Sequence, residues 1–484
     1  MWLNRGSSGR AALALPPGGG DALRVSSYAA AIAGAAALAG IGYALGAYRI
    51  DPGLPPLVAG GAVALGLGLW RLEYGLALLI IVTPFAENVP ITEVGEAKIR
   101  VALVAWAAVL VAIECFRSLA NRRALVAPPM AAATAMFLIA ALIAVPVAGD
   151  EAAAASKFML LAGSVSIYLL IGMFVDDMRK LWTVIVALVV VGLIVAIHAI
   201  YQYAVGDLSR VGFLNASGTV EYRVASFFPH PNQLAGFLVM LVPLALGVMA
   251  ATRNRVLRIA ALLLAVLSIV GVVLTYSRGG LVALIALPLI LIRDKRSWPL
   301  IVAGIVLITL LAPSVWRDRV AEVAKTDQPE IATRLDFWAA SLDMFQAHPV
   351  AGVGLDSFSD AYQALERPGR SYLGGGVLVA PETAHNLYLN TLAEQGLIGI
   401  AALALLLGSF FAMVLRLRRA ADARIRALAF GLLGSGVVVA VHNFFDVTFS
   451  DPKNGTVLWV LFGVGAALTR LAAKAPESEP SQAR

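Results

Sequence analysis

Residues 181–203 read LWTVIVALVVVGLIVAIHAIYQY, with no Asp, Glu, Lys or Arg among them and one imidazole, His198. A helix needs roughly 20 apolar residues to cross the hydrocarbon of a bilayer, and this run supplies them with Arg179 and Lys180 just before it. A soluble domain has no interior large enough for many such segments. Here they recur from end to end: 60% of the 484 residues are hydrophobic, 14% are charged, and the mean hydropathy is +0.83. The sequence therefore predicts an all-α, polytopic integral membrane protein.

Spans are expected at about 28–47, 98–118, 126–147, 156–175, 181–203, 232–251, 257–276, 279–292, 298–313, 387–415, 426–446 and 455–470. That makes about twelve. A split run, 57–70 and 75–86, is broken by Arg71 and Glu73 and would add two more as thin spans, or none as a re-entrant hairpin. The organisation that follows is a disordered tail (1–27), an N-terminal transmembrane bundle (28–313), one large loop (314–386), C-terminal helices (387–472) and a second tail (473–484). The first 27 residues are basic and rich in Gly, Pro and Ser, too weakly apolar for a signal peptide.

Charge sets the orientation. Arg122/Arg123, Arg179/Lys180, Arg253/Arg255/Arg258, Arg293/Lys295/Arg296 and the run from Arg416 to Arg426 fall on one side. By the positive-inside rule that side is cytoplasmic, together with both termini. The net charge of +7 thus reports cytoplasmic loops rather than a nucleic-acid surface. The opposite face receives 87–96, 204–231, the turn at 277–279, the long loop and 445–455. Stretch 314–384 holds ten acidic and six basic residues, and a connection of that length usually has structure of its own.

Most residues able to do chemistry fall on that outer face. TRLDFWAASLDMFQAHP (333–349) repeats Leu335, Trp338, Leu342 and Phe345 at helical spacing, an amphipathic helix suited to a membrane surface, with Arg334 at its start. In PETAHNLYLNTLAEQGLIGI (381–400), Asn386, Asn390 and Glu394 stack at i, i+4 and i+8 beside His385. The helical run to about 415 exceeds the need of a bilayer, so its first turns are expected above the hydrocarbon, where polar groups carry no burial penalty. EYRVASFFPHPNQLAGF (221–237) brings Arg223, His230 and Asn232 to the start of a span, and TYSRGG (275–280) puts Tyr276 and Arg278 at a tight turn. Each of these has a structural reading: a snorkelling arginine, a helix-capping histidine, a turn residue before proline for His230 and His348, and a satisfied intramembrane His198. His442 and Asp446, one turn apart, read as a hydrogen-bonded pair or as a site wall. The single Cys115 excludes a disulfide framework, and no outward metal-ligand cluster or nucleotide loop is present in the sequence. No cofactor is expected.

Taken in order, SFFPHPNQLAGF, TYSRGG, TRLDFW…HPVAGVGLDSF and AHNLYLNTLAEQGLIG resemble the O-antigen ligase and O-antigen polymerase superfamily of envelope glycosyltransferases. The resemblance covers roughly 220–400 by motif and the whole chain by topology. It implies a GT-C-type enzyme of the bacterial inner membrane, an undecaprenyl-diphosphate-linked glycan donor and metal-independent, inverting transfer on the periplasmic side. The acceptor it implies is a sugar hydroxyl of lipid A-core; membrane lipids are the remaining partners. His385 inherits the role of the family's essential histidine, and Arg278 and Arg334 those of its arginines. Arg223, His230, Asn232, Tyr276, Trp338 and Asn386 are expected to line the substrate. Within the superfamily a polymerase or a protein O-oligosaccharyltransferase remains open. A lipid-linked glycan transporter would instead place paired charges inside the spans and repeat its halves.

Overall fold

The computed structural model describes residues 63, 66–85, 96–122, 124–209, 212–214, 220–291, 329–365, 381–448 and 451–474. Leu72–Arg484 forms one compact unit and Met1–Arg71 another. The spans expected at 28–47 and 298–313, the first tail, residues 475–484 of the second, and parts of the long loop (314–328 and 366–380) lie outside the described residues.

The helices are α1 (Leu72–Val82), α2 (Glu96–Ala120), α3 (Ala131–Ile143), α4 (Glu151–Phe174), α5 (Met178–Val205), α6 (Pro231–Ala251), α7 (Arg255–Leu274) and α8 (Arg278–Leu291). After them come α9 (Pro329–Ala347), α10 (Phe358–Ala364), α11 (Leu387–Leu417), α12 (Ala423–His442) and α13 (Pro452–Lys474). Among the described residues, α4, α5, α6, α7, α11, α12 and α13 are seven helices long and apolar enough to cross a bilayer, while α3 and α8 are apolar but shorter. In the split run helical residues end at 70 and α1 starts at Leu72, so the break falls at Arg71, whereas Glu73 lies inside α1 and is buried. One departure from an all-helical chain is a small antiparallel hairpin, β1 (Gly212–Leu214) with β2 (Val220–Tyr222), registered Gly212 to Tyr222.

Capping explains the abrupt helix starts. Asp150, Asp177, Asn254 and Asp422 each accept backbone N–H groups with their side chains at the first turns of α4, α5, α7 and α12. Helix α6 lies at the centre, packed against α12, α7 and α8, with nearly all its side chains buried. Two glycines set its distance from α12: a Cβ on Gly247 would lie 2.9 Å from the Gly431 Cα, and one on Gly431 only 2.9 Å from the Pro243 carbonyl oxygen. Small residues let helix backbones approach this closely in membranes, where dispersion contacts replace the hydrophobic driving force. Ser435 seals the crossing by donating to the Met240 carbonyl at 2.7 Å.

The bundle has two chemically different ends. At one, Arg470 donates to the Gly172 carbonyl, Lys474 to the Asp176 carbonyl, and Arg426 to the Ala420 and Ala421 carbonyls. Arg426 belongs to a basic loop expected in the cytoplasm, and Arg470 and Lys474 close the last helix before the C-terminal tail expected on the same side. The other end gathers 223–232, 275–280, the start of α11 and the turn after α12.

Candidate functional site

The phrase 381–400 shows how the site is held. Helix α11 begins at Leu387 with Asn386 as its cap. The Asn386 Oδ1 accepts from the Tyr388 and Leu389 N–H groups at 3.0 and 3.1 Å. Asn390 Oδ1 turns back to accept the Ala384 N–H at 2.9 Å, and Glu394 Oε1 accepts the Phe358 N–H at 3.3 Å. The polar row was expected to stand in solvent above the bilayer; instead all three side chains are buried. Burial without partners would cost about 1–3 kcal/mol per group, and each has its backbone N–H. The row is an internal frame, and His385 is the residue it frames.

That frame imposes an unusual backbone. His385 has φ 49°, in the left-handed region, which costs a residue with a Cβ roughly 1–2 kcal/mol. The Thr383 hydroxyl accepts the His385 N–H, and the Leu387 N–H donates to the Asn443 and Asp446 carbonyls at 2.9 and 3.1 Å. With Asn390 on Ala384, hydrogen bonds on both sides of His385 hold the turn. The imidazole lies near parallel to the buried Phe337 ring, 6.2 Å between centroids at 26°.

Helix α11 is not continuous, contrary to the unbroken run expected over 387–415. At Gly396 φ is 61° and ψ −154°. The turn at 349–354 fills the break: Leu397 N donates to Pro349 O, Ile398 N to Val350 O, Val353 N to Ala393 O and Gly354 N to Glu394 O. A broken helix within a bundle is tolerated only where such backbone groups are paired by protein. The approach leaves no room for side chains, since a Cβ on Gly352 would sit 2.3 Å from the Glu394 carbonyl carbon. The interlock ties the large loop to α11, and with it α9, which carries Arg334.

Helix α9 packs on α11 through Phe337, Ala340 and Met344, beside Phe358 and Ala384. Its apolar stripe points the other way, with Leu335 and Leu342 exposed by 55% and 45%. Trp338 is half-buried against the loop cluster; Phe337, its neighbour, is the ring that meets His385. Tyr362 donates to Asp336 at 2.6 Å and packs edge-on to Phe337.

The turn Asn443–Asp446 joins the remaining pieces. Arg334 Nη1 donates to the Phe445 carbonyl at 2.9 Å. A Cβ on Gly279, next to Arg278, would be 2.6 Å from the Phe445 Cβ, so the start of α8 lies directly against the same residue. Leu387, two residues after His385, bonds to this turn as described. Asn443 braces it, donating to Val439 O and accepting from Thr448 N. His442 is buried and neither ring nitrogen has a hydrogen-bond partner, so it does not form the hydrogen-bonded pair with Asp446. Polar residues closing an apolar span in VHNFFDVTF were the available signal for this turn.

The 223–232 segment completes that end. Arg223 follows β2 and is buried, its carbonyl accepting from Ser209 N. Lys453 donates to the Phe227 carbonyl and lies over the Phe228 ring, while Asn454 donates to the Gln233 carbonyl at 2.9 Å. Two consecutive residues of α13 thereby clamp both sides of His230; sequence reasoning had not singled them out. His198, on α5, bonds Ser226 and stacks on Phe227, as a satisfied histidine should. His230 caps α6 through Nδ1, which accepts the N–H of buried Asn232 at 3.1 Å. Burial, then the Arg223 guanidinium, push its pKa down to about 4; Asp446 acts in the opposite sense, and His385 and Arg334 add to the lowering. These charges share one neighbourhood. Tyr276, buried with φ 52°, makes the turn into Arg278, and Ser277 Oγ accepts the Gly280 N–H.

The arrangement offers an imidazole on a fixed turn, with the Arg223 and Arg334 guanidinium groups in the same neighbourhood of His230. Such forks match phosphate oxygens and stay charged at any working pH. Among the described residues no group of three or more His, Cys, Asp or Glu is placed to hold a metal ion. No curated protein matches the chain. Residues 263–404, which include the SRG turn, α9, the interlock and the His385 phrase, match the family model described as O-Antigen ligase, so the family that this multi-pass membrane chain resembles by its motifs is the one its central segment matches.

Proposed function

We propose that the protein transfers an O-antigen glycan from undecaprenyl diphosphate to a sugar hydroxyl of lipid A-core, on the periplasmic face of the inner membrane. The observation that carries this reading is the framed His385, which together with Arg334 and Arg223 acts on the charge of His230, within a chain whose central segment matches the O-antigen ligase model.

His385 acts as the general base, taking the proton of the acceptor hydroxyl. The acceptor oxygen bonds to the anomeric carbon as the bond from that carbon to the diphosphate oxygen breaks, inverting its configuration. The electron pair leaves on undecaprenyl diphosphate. Arg278 and Arg334, with Arg223, hold the diphosphate and stabilise the charge that grows on it. Loss of one such donor typically costs about 3–4 kcal/mol in the transition state. Because guanidinium groups supply this stabilisation, transfer is expected to persist in a chelator; activity lost to chelator and restored by magnesium would contradict it. His230, held well below its ordinary pKa and engaged at Nδ1, serves better as a neutral donor to the donor glycan or diphosphate than as a base.

The matched family description does not choose between acceptors, and a polymerase would add the glycan to a second lipid-linked repeat unit. Complementation separates them. The chain is expected to restore O-antigen to a ligase-null strain, which otherwise shows bare core. Restoration only in a polymerase-null strain, where core carries one repeat unit, would replace the ligase reading with the polymerase one.

A further inference from the structure

The base needs a fixed direction as well as a suitable chemistry, and its backbone sits in a conformation that residues with a Cβ avoid. Whatever stabilises the turn at Ala384–His385 therefore determines where the imidazole points. Asn386 was the obvious candidate, being adjacent. Its Oδ1 is spent on the first turn of α11, on the Tyr388 and Leu389 N–H groups. Glu394 is committed to the Phe358 N–H on the far side of the interlock. One buried side chain reaches back to the residue immediately before His385: Asn390, whose Oδ1 accepts the Ala384 N–H at 2.9 Å.

We propose that Asn390 is the positioning residue for His385, holding the Ala384–His385 turn in its left-handed form so that the imidazole faces the acceptor hydroxyl. The inference rests on the His385 base assignment and deepens it. The helix makes the distance work. Asn390 stands one turn above Asn386 on the same face, so its amide points back along the chain that enters α11. The N–H it accepts belongs to a buried alanine packed under Phe337 and Met344, the same cluster that backs the imidazole. Without this acceptor, the Thr383 hydroxyl and the Leu387 N–H bonds alone hold the turn, and it can relax toward an ordinary extended conformation, swinging His385 away from Phe337. Asn390 also borders a cavity of about 60 Å³ with Thr391, Glu394 and Gln395, which offers space for the larger leucine of the same branched shape.

Reconstituted full-length protein with lipid-linked donor and lipid A-core acceptor tests this. Wild type, His385→Ala, Asn390→Leu and Asn390→Asp are compared for kcat, for the KM of each substrate, and for melting temperature. Asn390→Leu is expected to lower kcat about 10²-fold, the usual effect of misplacing a reacting group by an ångström, with donor KM unchanged. Asn390→Asp, which keeps the acceptor oxygen, is expected to recover at least tenfold of that loss. Wild-type turnover in Asn390→Leu, while His385→Ala is inactive, overturns the positioning role and leaves the base assignment intact. An equal loss in both Asn390 variants, at wild-type melting temperature, also overturns it. If His385→Ala itself turns over normally, the base assignment has failed and the positioning role falls with it.

Discussion

His385 and the candidate arginines differ in what they should do when removed. Replacing His385 by alanine deletes the proton acceptor and leaves the diphosphate clamp, so lipid-linked donor is expected to bind while transfer falls about 10²–10⁴-fold. Arg278→Ala and Arg334→Ala are expected to weaken donor binding and turnover together, because the ground-state donor already carries the diphosphate. Lysine at either position should rescue only in part, since a point charge lacks the fork; full rescue would show that charge alone is used. His230 gives a pH prediction. Its folded-state pKa of about 4 lies below the ordinary value of about 6.5. Between those values the unfolded chain binds a proton that the folded chain refuses, so this residue's contribution to stability falls as pH drops through that window. His230→Asn keeps a capping acceptor without the titration. Melting temperature in detergent should therefore fall less for His230→Asn than for wild type between pH 7 and pH 5; parallel slopes would mean that His230 is not held neutral. Sequence alone singled out His385, Arg278, Arg334, Arg223 and His230 as candidates. It could not assign the framing role among Asn386, Asn390 and Glu394, because one helix face offers all three and only the returning chain decides which N–H each receives.

The interlock of α11 with the 349–354 turn is the element on which the site depends most. Gly396 adopts a backbone conformation open essentially to glycine, and a Cβ there would lie 2.4 Å from the Val350 carbonyl oxygen. Gly396→Ala is therefore expected to expel the turn and lower both melting temperature and transfer. Gly408, on the same helix, has nothing within 4 Å of where its Cβ would be, so Gly408→Ala should leave transfer unchanged and raise helix stability by up to about 1 kcal/mol. Similar melting of the two variants would remove the interlock from the account. The break was hidden in the sequence because AEQGLIGI keeps its apolar helical pattern through Gly396. Its partner, VAGVGL, read correctly as a glycine turn, but nothing local says that a turn will pair with a helix that starts more than thirty residues later. For α9 the apolar stripe was legible, and its protein-facing side was not. The protein-facing side is built from Phe337, Ala340 and Met344 beside the polar Asp336 and Ser341, leaving Leu335 and Leu342 outward, as a helix lying at a bilayer surface would have them.

Across the whole molecule, long apolar runs and basic loops made the helical membrane fold legible, since few other structures can bury such segments. The two ends follow from the same logic: arginines and lysines clasp helix carbonyls at one, while His385, Arg334, Arg223 and His230 meet at the other. The turn 443–446, outside the matched segment, was marked in the sequence by its polar residues, but its contribution was not legible, because it works through backbone carbonyls that no side chain announces. Orientation can be read in cells. With Cys115→Ser as background, Asp360→Cys is expected to react with a membrane-impermeant maleimide in spheroplasts, whereas Ala421→Cys should react only after lysis. The opposite pattern would put the site on the wrong side for a lipid-linked periplasmic donor. The central claim is that this chain moves a glycan from lipid diphosphate using His385 as base. It is tested most directly by incubating purified, reconstituted protein with undecaprenyl-diphosphate-linked glycan and lipid A-core and measuring the glycan-bearing product. Wild-type protein is expected to form it, and His385→Ala to bind donor while forming at least a hundredfold less. Product formed by His385→Ala at the wild-type rate would contradict the account.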